Sequence, residues 1–265
     1  MIFMHVITKH LRAGHEQLDD LIAGYDAFEN VRTEFLENEN LDLANDYVFE
    51  TAVGDSYGQK ARRKLMLIGK APEGWGCPDY AIQPNPRQAI LEDFVQGNNY
   101  RSLFWGWLNL IGHAAGLENY TDTRVNPRLC RSVAWSNLLR ISEGGHLPRT
   151  PGFVAAQSDI SIKLLRLELN LLQPSVVSLV SSGGYEDVAN AAFGPDPWED
   201  INLPRRFFPA NQIAEAHLFG RGLRYRRKIV VFGKTSCEIF WTRHPQGWRR
   251  EWRDHMVEII GNALR

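Results

Sequence analysis

Five short apolar runs, each about five residues long, constrain the fold of this chain more than any other feature of its sequence. Runs of this length, bounded by glycine, proline or polar residues, are typical of buried strands and are too short for most helices. Longer segments with helical spacing separate the first three runs, which predicts βαβ units. We therefore expect an α/β fold, a three-layer α/β/α sandwich around a short, mostly parallel central sheet. The runs are residues 64–68, 132–136, 176–180, 228–232 and 238–242.

Helical spacing of apolar residues predicts four helical regions. Ser158 or Asp159 is the expected N-cap of the third region, and Pro174 ends it. Proline and aromatic residues predict an irregular insertion over residues 192–212. The helical regions are residues 15–45, 87–115, 158–172 and 249–263.

Charge is distributed unevenly along a chain whose formal net charge is −1. Residues 1–60 hold 12 acidic and 4 basic groups. We expect them to form an acidic helical N-terminal region that packs on an α/β domain of residues 61–265. Residues 221–253 hold 10 basic and 2 acidic groups, which fits either a phosphate-binding face or a solvated, salt-bridged surface.

The three cysteines, Cys77, Cys130 and Cys237, form neither a CxxC pair nor a zinc-binding spacing. We therefore expect no metal and a reducing, cytoplasmic location. No apolar stretch approaches the roughly 18–20 residues of a membrane span, and the first residues lack the pattern of a signal peptide. The expected protein has no membrane partner and is a monomer.

Active sites of open parallel sheets lie beyond the carboxyl ends of the strands. In this sequence that rule selects the four peptides Gly69–Trp75, Ser136-Asn137, Ser181–Gly184 and Arg243–Trp248. Candidate chemistry is expected in these peptides.

The four peptides, in this order, resemble motifs of the uracil-DNA glycosylase superfamily, over roughly residues 62–264. Gly69-Lys70-Ala71-Pro72 is similar to the first motif, a glycine, two variable residues and a proline. Ala134–Leu139 resembles the segment in which a strand ends with the asparagine that reads the target base, here Asn137. Leu172–Gly183 resembles the Leu-x-Pro segment that ends in glycine, and Thr242–Gly247 resembles the His-Pro-Ser motif with its DNA-entering loop.

The resemblance implies a monofunctional DNA glycosylase that flips out and excises a base. His244 would donate a hydrogen bond to a pyrimidine O2, and the Asn137 amide would read the base edge. The Gly69–Pro72 backbone would approach the base, with Gly69 permitting a tight turn. Each has a plain alternative: His244 bonding a backbone carbonyl, Asn137 capping a turn, and Gly69–Pro72 forming an ordinary strand-to-helix turn.

Two features depart from the uracil-specific branch. Ala71 stands where that branch has a catalytic Asp, and Glu73 is the candidate replacement, with Asp79 second. Lys70 would add positive charge near the leaving base or a phosphate. The iron–sulfur branches need four cysteines, so we expect no cofactor.

The second departure concerns the C5 side of the base. The uracil-specific branch places a Tyr after the motif proline, whereas this chain has Glu73 followed by Gly74. Trp75 and Tyr80 are the nearest aromatic candidates for the pocket. An open C5 side favours a 5-substituted cytosine, such as a phage-type modified base, over uracil. The superfamily includes members directed at modified phage DNA, so a defence role fits.

DNA contacts are expected in the last motif and beside the third. Trp248 is either a wedge in the base stack or a core residue. A non-catalytic nucleic-acid-binding member of the same fold is the alternative function. An unrelated α/β hydrolase is disfavoured because the chain has no metal-ligand spacing. The remaining candidate DNA-binding residues are Ser182, Arg243, Gln246, Arg249 and Arg250.

Overall fold

The computed structural model describes residues 15–38, 48–49, 51–54, 57–58, 63–72, 103–116, 132–144, 146–181, 185–201, 226–242 and 250–265. The helices in these ranges are α1 (His15–Asn38), α2 (Leu103–Ala114), α3 (Pro151–Leu172), α4 (Glu186–Phe193) and α5 (Arg250–Leu264). The strands are β1 (Ala52–Val53), β2 (Leu65–Gly69), β3 (Val133–Asn137), β4 (Val176–Val180), β5 (Glu199–Asp200), β6 (Arg226–Phe232) and β7 (Thr235–Thr242).

The strands form one mixed sheet in the order β1-β3-β2-β4-β7-β6-β5. The four adjacent strands β3, β2, β4 and β7 are parallel, which confirms the α/β fold. The edges are antiparallel: β1 pairs with β3, β6 with β7, and β5 with β6. The antiparallel β6–β7 pair follows from its two-residue connection, in which Gly233 has a φ of 60°, because so short a link can only form a hairpin.

Helices cover both faces of the sheet. Side chains alternate along each strand, so Leu65 and Leu67 join one core with α2 and α5, while Met66 and Ile68 join another with α3 and α4. We call these sides the α2/α5 face and the α3/α4 face. Helix α1 packs on the outer side of α3, where Phe28 lies in a third cluster with α3 residues. No helix in the described ranges combines the length and apolarity needed to cross a bilayer.

Helix α3 begins earlier than its sequence pattern predicts. Its first residue is Pro151, so the predicted cap at Ser158 or Asp159 is wrong; Ser158 lies inside the helix and donates to the carbonyl of Val154. The Glu143 carboxylate accepts the backbone N–H groups of the two residues before Pro151, at 2.7 and 3.0 Å. Burial raises the pKa of Glu143, but these hydrogen bonds outweigh burial and leave it below its ordinary value. The preceding loop therefore fixes the two residues that lead into the helix, the second of which, Thr150, is its N-cap.

The predicted irregular insertion over residues 192–212 is wrong at its start. Helix α4 continues to Phe193, and residues 199–200 form β5. Residues 202–212 lie outside the described part of the chain.

Helices α2 and α5 approach each other closely at Gly261. A methyl group at Gly261 would lie 2.6 Å from Cβ of Ala114 and 3.0 Å from its carbonyl carbon. We therefore expect Gly261→Ala to lower the free energy of unfolding by about 1–3 kcal/mol, because backbone atoms must shift to admit it. This loss should exceed the gain in helix propensity of about 1 kcal/mol that alanine normally brings. Urea denaturation measures it.

Gly106 provides the matched control on the opposing helix. Apart from its chain neighbours and the backbone of its own helix, no atom of the described residues lies within 4 Å of the position that a Cβ would take there. Gly106→Ala should therefore raise the free energy of unfolding by about 0.5–1 kcal/mol. Equal effects of the two substitutions would contradict the close contact at Gly261.

Candidate functional site

The carboxyl ends of the four parallel strands meet at one edge of the sheet, as the strand-end rule predicts. Gly69 ends β2 opposite Asn137 at the end of β3, and Val180 of β4 pairs with Thr242 of β7. Because Ile68 pairs with Leu179, Gly69 and Val180 come next to each other in the same register. The edge therefore carries the row Asn137, Gly69, Val180, Thr242, which we call the carboxyl-edge row.

The carboxyl-edge row faces α2 and α5. Val133 and Trp135 belong to the core on that face, so Asn137, the next residue in the alternation, lies on the same face. Gly69 follows Leu65 and Leu67 by the same alternation. Since Gly69 has no side chain, the place next to Asn137 in the row is left unfilled by β2.

The side chain of Asn137 is the main polar feature of this row. The residue is 2% exposed, and its Nδ2 atom has no hydrogen-bond partner among the described residues. An unsatisfied buried donor costs about 1–3 kcal/mol, so such groups are rare in folded proteins. The Nδ2 atom therefore retains an unused capacity to donate a hydrogen bond.

Backbone hydrogen bonds continue past the ends of β2 and β3. The N–H of Leu138 donates to the carbonyl of Gly69 at 2.9 Å, and that of Leu139 to Lys70 at 2.8 Å. The φ angle of Gly69 is not positive, unlike that of Gly58 or Gly144, so the backbone conformation does not itself require glycine there. The backbone after β2 continues in ladder-like pairing with the segment after β3. The property of Gly69 that matters here is therefore its missing side chain.

The rest of the first motif lies directly after β2. Lys70 is partly buried, and Pro72 is buried. Ala71, also partly buried, packs against the core on the α3/α4 face. The residue at the position of the motif Asp therefore contributes packing.

The start of the third predicted peptide is fixed by β7. The N–H of Ser181 donates to the carbonyl of Thr242 at 3.1 Å. The Trp241 indole N–H donates to the Ser181 carbonyl at 3.1 Å and to its hydroxyl at 2.8 Å. These bonds fix the position of Ser181 directly after β4.

Arg250 is the one predicted DNA-contacting residue in the described part of the chain. It begins α5, its side chain is 83% exposed, and its Nε lies 3.6 Å from a carboxylate oxygen of Asp254. Such a surface pair contributes little, so the guanidinium remains accessible to an anion. The other site predictions lie outside the described residues: Glu73, Trp75, Tyr80, Ser182, Arg243, His244, Gln246, Trp248 and Arg249.

The basic residues of β6 are occupied by contacts within the protein. Arg227 pairs with Glu238 at 2.5 Å, and Arg226 lies 3.9 Å from Asp200. The Lys228 ammonium donates to two backbone carbonyls, each at 2.6 Å, and burial lowers its pKa while a nearby aspartate partly opposes this. For β6, the salt-bridged interpretation of the basic C-terminal region therefore holds.

A buried polar network behind β3 was not predicted from the sequence. Arg140 and Glu168 form an ion pair of 2.7 Å with side chains 0% and 1% exposed. Ser136, Thr51 and Tyr25 extend the network by hydrogen bonds. A sequence signal exists, because Glu168 occupies a position in α3 that helical spacing assigns to the buried stripe.

Metal-ligating side chains do not cluster in the described ranges, where no group of three or more His, Cys, Asp or Glu could hold an ion. Glu143 and His146, which are three residues apart, close a turn through two backbone hydrogen bonds to each other.

Comparisons with known proteins assign no family to the chain. No family model matches it, and no curated protein matches it significantly.

Proposed function

We propose that this protein is a monofunctional DNA glycosylase that excises a modified pyrimidine and leaves an abasic site. Uracil is one candidate base. A 5-substituted cytosine is favoured, because Glu73 and Gly74 stand where the uracil-specific branch has its excluding Tyr. The proposal includes a cytoplasmic monomer whose partner is DNA and which needs neither cofactor nor metal.

The observation that carries the proposal is the buried Asn137 Nδ2 atom, which has no hydrogen-bond partner among the described residues and lies next to Gly69. An amide can donate to a carbonyl oxygen or ring nitrogen of a base and accept from an amine. Buried donors held before the ligand arrives suit the reading of a flipped base by its Watson–Crick edge. The position of this amide, at the carboxyl end of a parallel strand, is where ligands bind in open α/β sheets.

The proposed reaction is hydrolysis of the N-glycosidic bond. Water adds to C1′ of the sugar as the bond to the base breaks, and the base leaves with the electron pair and is protonated. The Asn137 amide orients the base, and His244 donates a hydrogen bond to the O2 atom on which negative charge develops. Glu73 is the proposed carboxylate for the water or the sugar cation, in place of the Asp that Ala71 replaces.

A panel of oligonucleotides, each with one modified base, tests the proposal. We expect mass spectrometry to detect a released 5-substituted cytosine base and alkali to cleave the strand at the abasic site. The panel includes uracil, 5-hydroxymethylcytosine, glucosylated 5-hydroxymethylcytosine and unmodified cytosine. Release of uracil alone would contradict the open C5 side, and release of no base would contradict the glycosylase.

A non-catalytic DNA-binding protein is the second candidate, and the packing of Ala71 in the core favours it. A protein of this second kind would bind the same oligonucleotides with salt-dependent affinity and would release no base from them.

Substitutions in the last motif separate catalysis from binding. We expect His244→Ala to lower the excision rate much more than the DNA affinity, because its hydrogen bond strengthens as the base leaves. Arg249→Ala should weaken DNA binding and flatten its salt dependence, with a smaller effect on the rate in bound complexes. Binding titrations at several salt concentrations and single-turnover rates measure both. Equal losses in rate and affinity for His244→Ala would contradict its role.

A further inference from the structure

One carboxylate contacts both sides of the segment that carries Asn137. The Glu168 Oε2 atom accepts hydrogen bonds from Ser136 Oγ at 3.1 Å and from Arg140 Nη2 at 2.7 Å. Ser136 precedes Asn137 by one residue, and Arg140 follows it by three. The ends of the short segment 136–140 are thus joined through a single side chain of α3.

Helix α1 completes this connection through Tyr25. Its hydroxyl donates to the other oxygen of Glu168 at 2.8 Å and accepts the backbone N–H of Thr51 at 2.9 Å. The Thr51 hydroxyl lies 3.0 Å from Ser136 Oγ and accepts from Arg140 Nη1 at 2.9 Å. Burial, and next the charge of Glu168, hold the pKa of Tyr25 well above its ordinary value, so the hydroxyl remains a donor.

The end of β3 has little support from the sheet on its outer side. β1 pairs with only Ala134 and Trp135 of β3, so no strand in the described ranges flanks Ser136 and Asn137 there. The Thr51–Ser136 contact and the bond from Phe49 N–H to the Arg140 carbonyl, 2.7 Å long, occupy that side. Side-chain bonds thus hold a strand end that an outer strand would otherwise hold.

Stability alone does not account for a buried ion pair of this kind. Replacing such a pair with apolar residues is often neutral or stabilising, because desolvation offsets the attraction between the charges. Buried polar networks instead fix one geometry when their members are hydrogen-bonded. Here Arg140 Nη1 and Nη2 and both oxygens of Glu168 are paired, while Arg140 Nε has no partner among the described residues. A binding group such as the Asn137 amide benefits from a fixed geometry, since its supporting residues determine its precision.

We propose that Glu168 and Tyr25 are positioning residues that fix the end of β3 so that the Asn137 amide is held ready for its ligand. The functional part of this inference rests on the proposed glycosylase; the structural part, the fixing of residues 136–140, does not. Helix α1 thereby contributes to the proposed site through Tyr25.

Tyr25→Phe tests the proposal with the loss of one oxygen atom. We expect backbone hydrogen exchange at Leu138 and Leu139 to become about tenfold faster relative to Val230 and Ile239 in the β6–β7 hairpin. The NMR signals of the Asn137 side-chain amide should shift. The excision rate should fall about tenfold with little change in KM, because the amide is less well oriented in the bound complex.

Tyr57→Phe is the matched control, and Thr51→Val is a second variant should Tyr25→Phe not fold. The Tyr57 hydroxyl is buried without a hydrogen-bond partner in the described part of the chain. Its removal should leave exchange at Leu138 and the excision rate unchanged. Thr51→Val removes the hydroxyl next to Ser136 and should act like Tyr25→Phe.

The two readouts separate this inference from the proposed function. Faster exchange at Leu138 and Leu139 with no base released by the wild-type protein would support the positioning and overturn the glycosylase. Exchange that rises equally throughout the protein would overturn the positioning, because it reports only lower stability. Unchanged excision despite selective exchange would overturn it as well.

Discussion

Asn137→Leu should lower base excision by about 10²–10³-fold and leave the protein at least as stable as the wild type. Leucine has nearly the shape of asparagine but cannot donate or accept a hydrogen bond. The loss of excision follows from the removal of a fixed hydrogen-bonding group, for which rate losses of about this size are typical. When a site reads its substrate through one hydrogen-bonding group, loss of that hydrogen bond lowers the rate strongly.

The stability of the same variant follows from the surroundings of Asn137. Its Nδ2 atom is buried and unpartnered among the described residues, and it lies on the same face of the sheet as the apolar core of α2 and α5. Replacing a buried unsatisfied donor with an apolar group removes a penalty of about 1–3 kcal/mol. The expected combination is therefore an inactive protein with an unchanged or higher midpoint of urea denaturation.

Single-turnover excision and urea denaturation measure the two effects. Asn170→Leu is the matched control, because Asn170 is exposed on α3 and the chemical change is the same. It should change neither quantity appreciably. An Asn137→Leu protein that retains its excision rate would contradict the proposed role of the amide. One that loses several kcal/mol would show that the amide is paired in the folded protein.

The central strands could be predicted from the sequence because their signal is local. The runs at 64–68 and 132–136 start and end one residue before the observed strands β2 and β3, and the run at 176–180 coincides with β4. Apolar composition and short length are properties of the run itself. The placement of Gly69 and Asn137 at one edge then follows from the parallel arrangement.

The network around Arg140 could not be predicted because its contacts are distant in sequence. Glu168 contacts Ser136 across 32 residues and Tyr25 across 143. A strand of two residues such as β1 has no periodicity to detect. The start of α3 at Pro151 depends on Glu143, seven residues before Thr150. Each of these features is determined by tertiary contacts and leaves only a weak local pattern.

Glu168→Leu should lower the free energy of unfolding by about 3–5 kcal/mol, the largest stability effect that we expect in the described core. The substitution leaves the Arg140 guanidinium buried without its carboxylate, and an uncompensated buried charge carries a cost of this size. Ser136 and Tyr25 lose an acceptor at the same time. Urea denaturation at neutral pH measures the loss.

The double variant Arg140→Met with Glu168→Leu should recover at least about half of that loss. With both charges removed, no ion remains to be desolvated, and apolar replacements of similar volume are often neutral or better. The coupling energy of the cycle should therefore be on the order of 2 kcal/mol or more. The hydroxyls of Thr51, Ser136 and Tyr25 and the carbonyl of Phe49 would each lose a partner.

The exposed pair of Arg250 and Asp254 provides the reference cycle for this prediction. Its side chains are 83% and 52% exposed, so its coupling should be about 0.2–1 kcal/mol. A coupling for Arg140 and Glu168 as small as this would contradict their burial as an ion pair. One outcome is a double variant that recovers most of its stability and still excises bases slowly. In that case the role of the ion pair is to fix the position of the end of β3. Full activity in that variant would show instead that packing alone holds Asn137 in place.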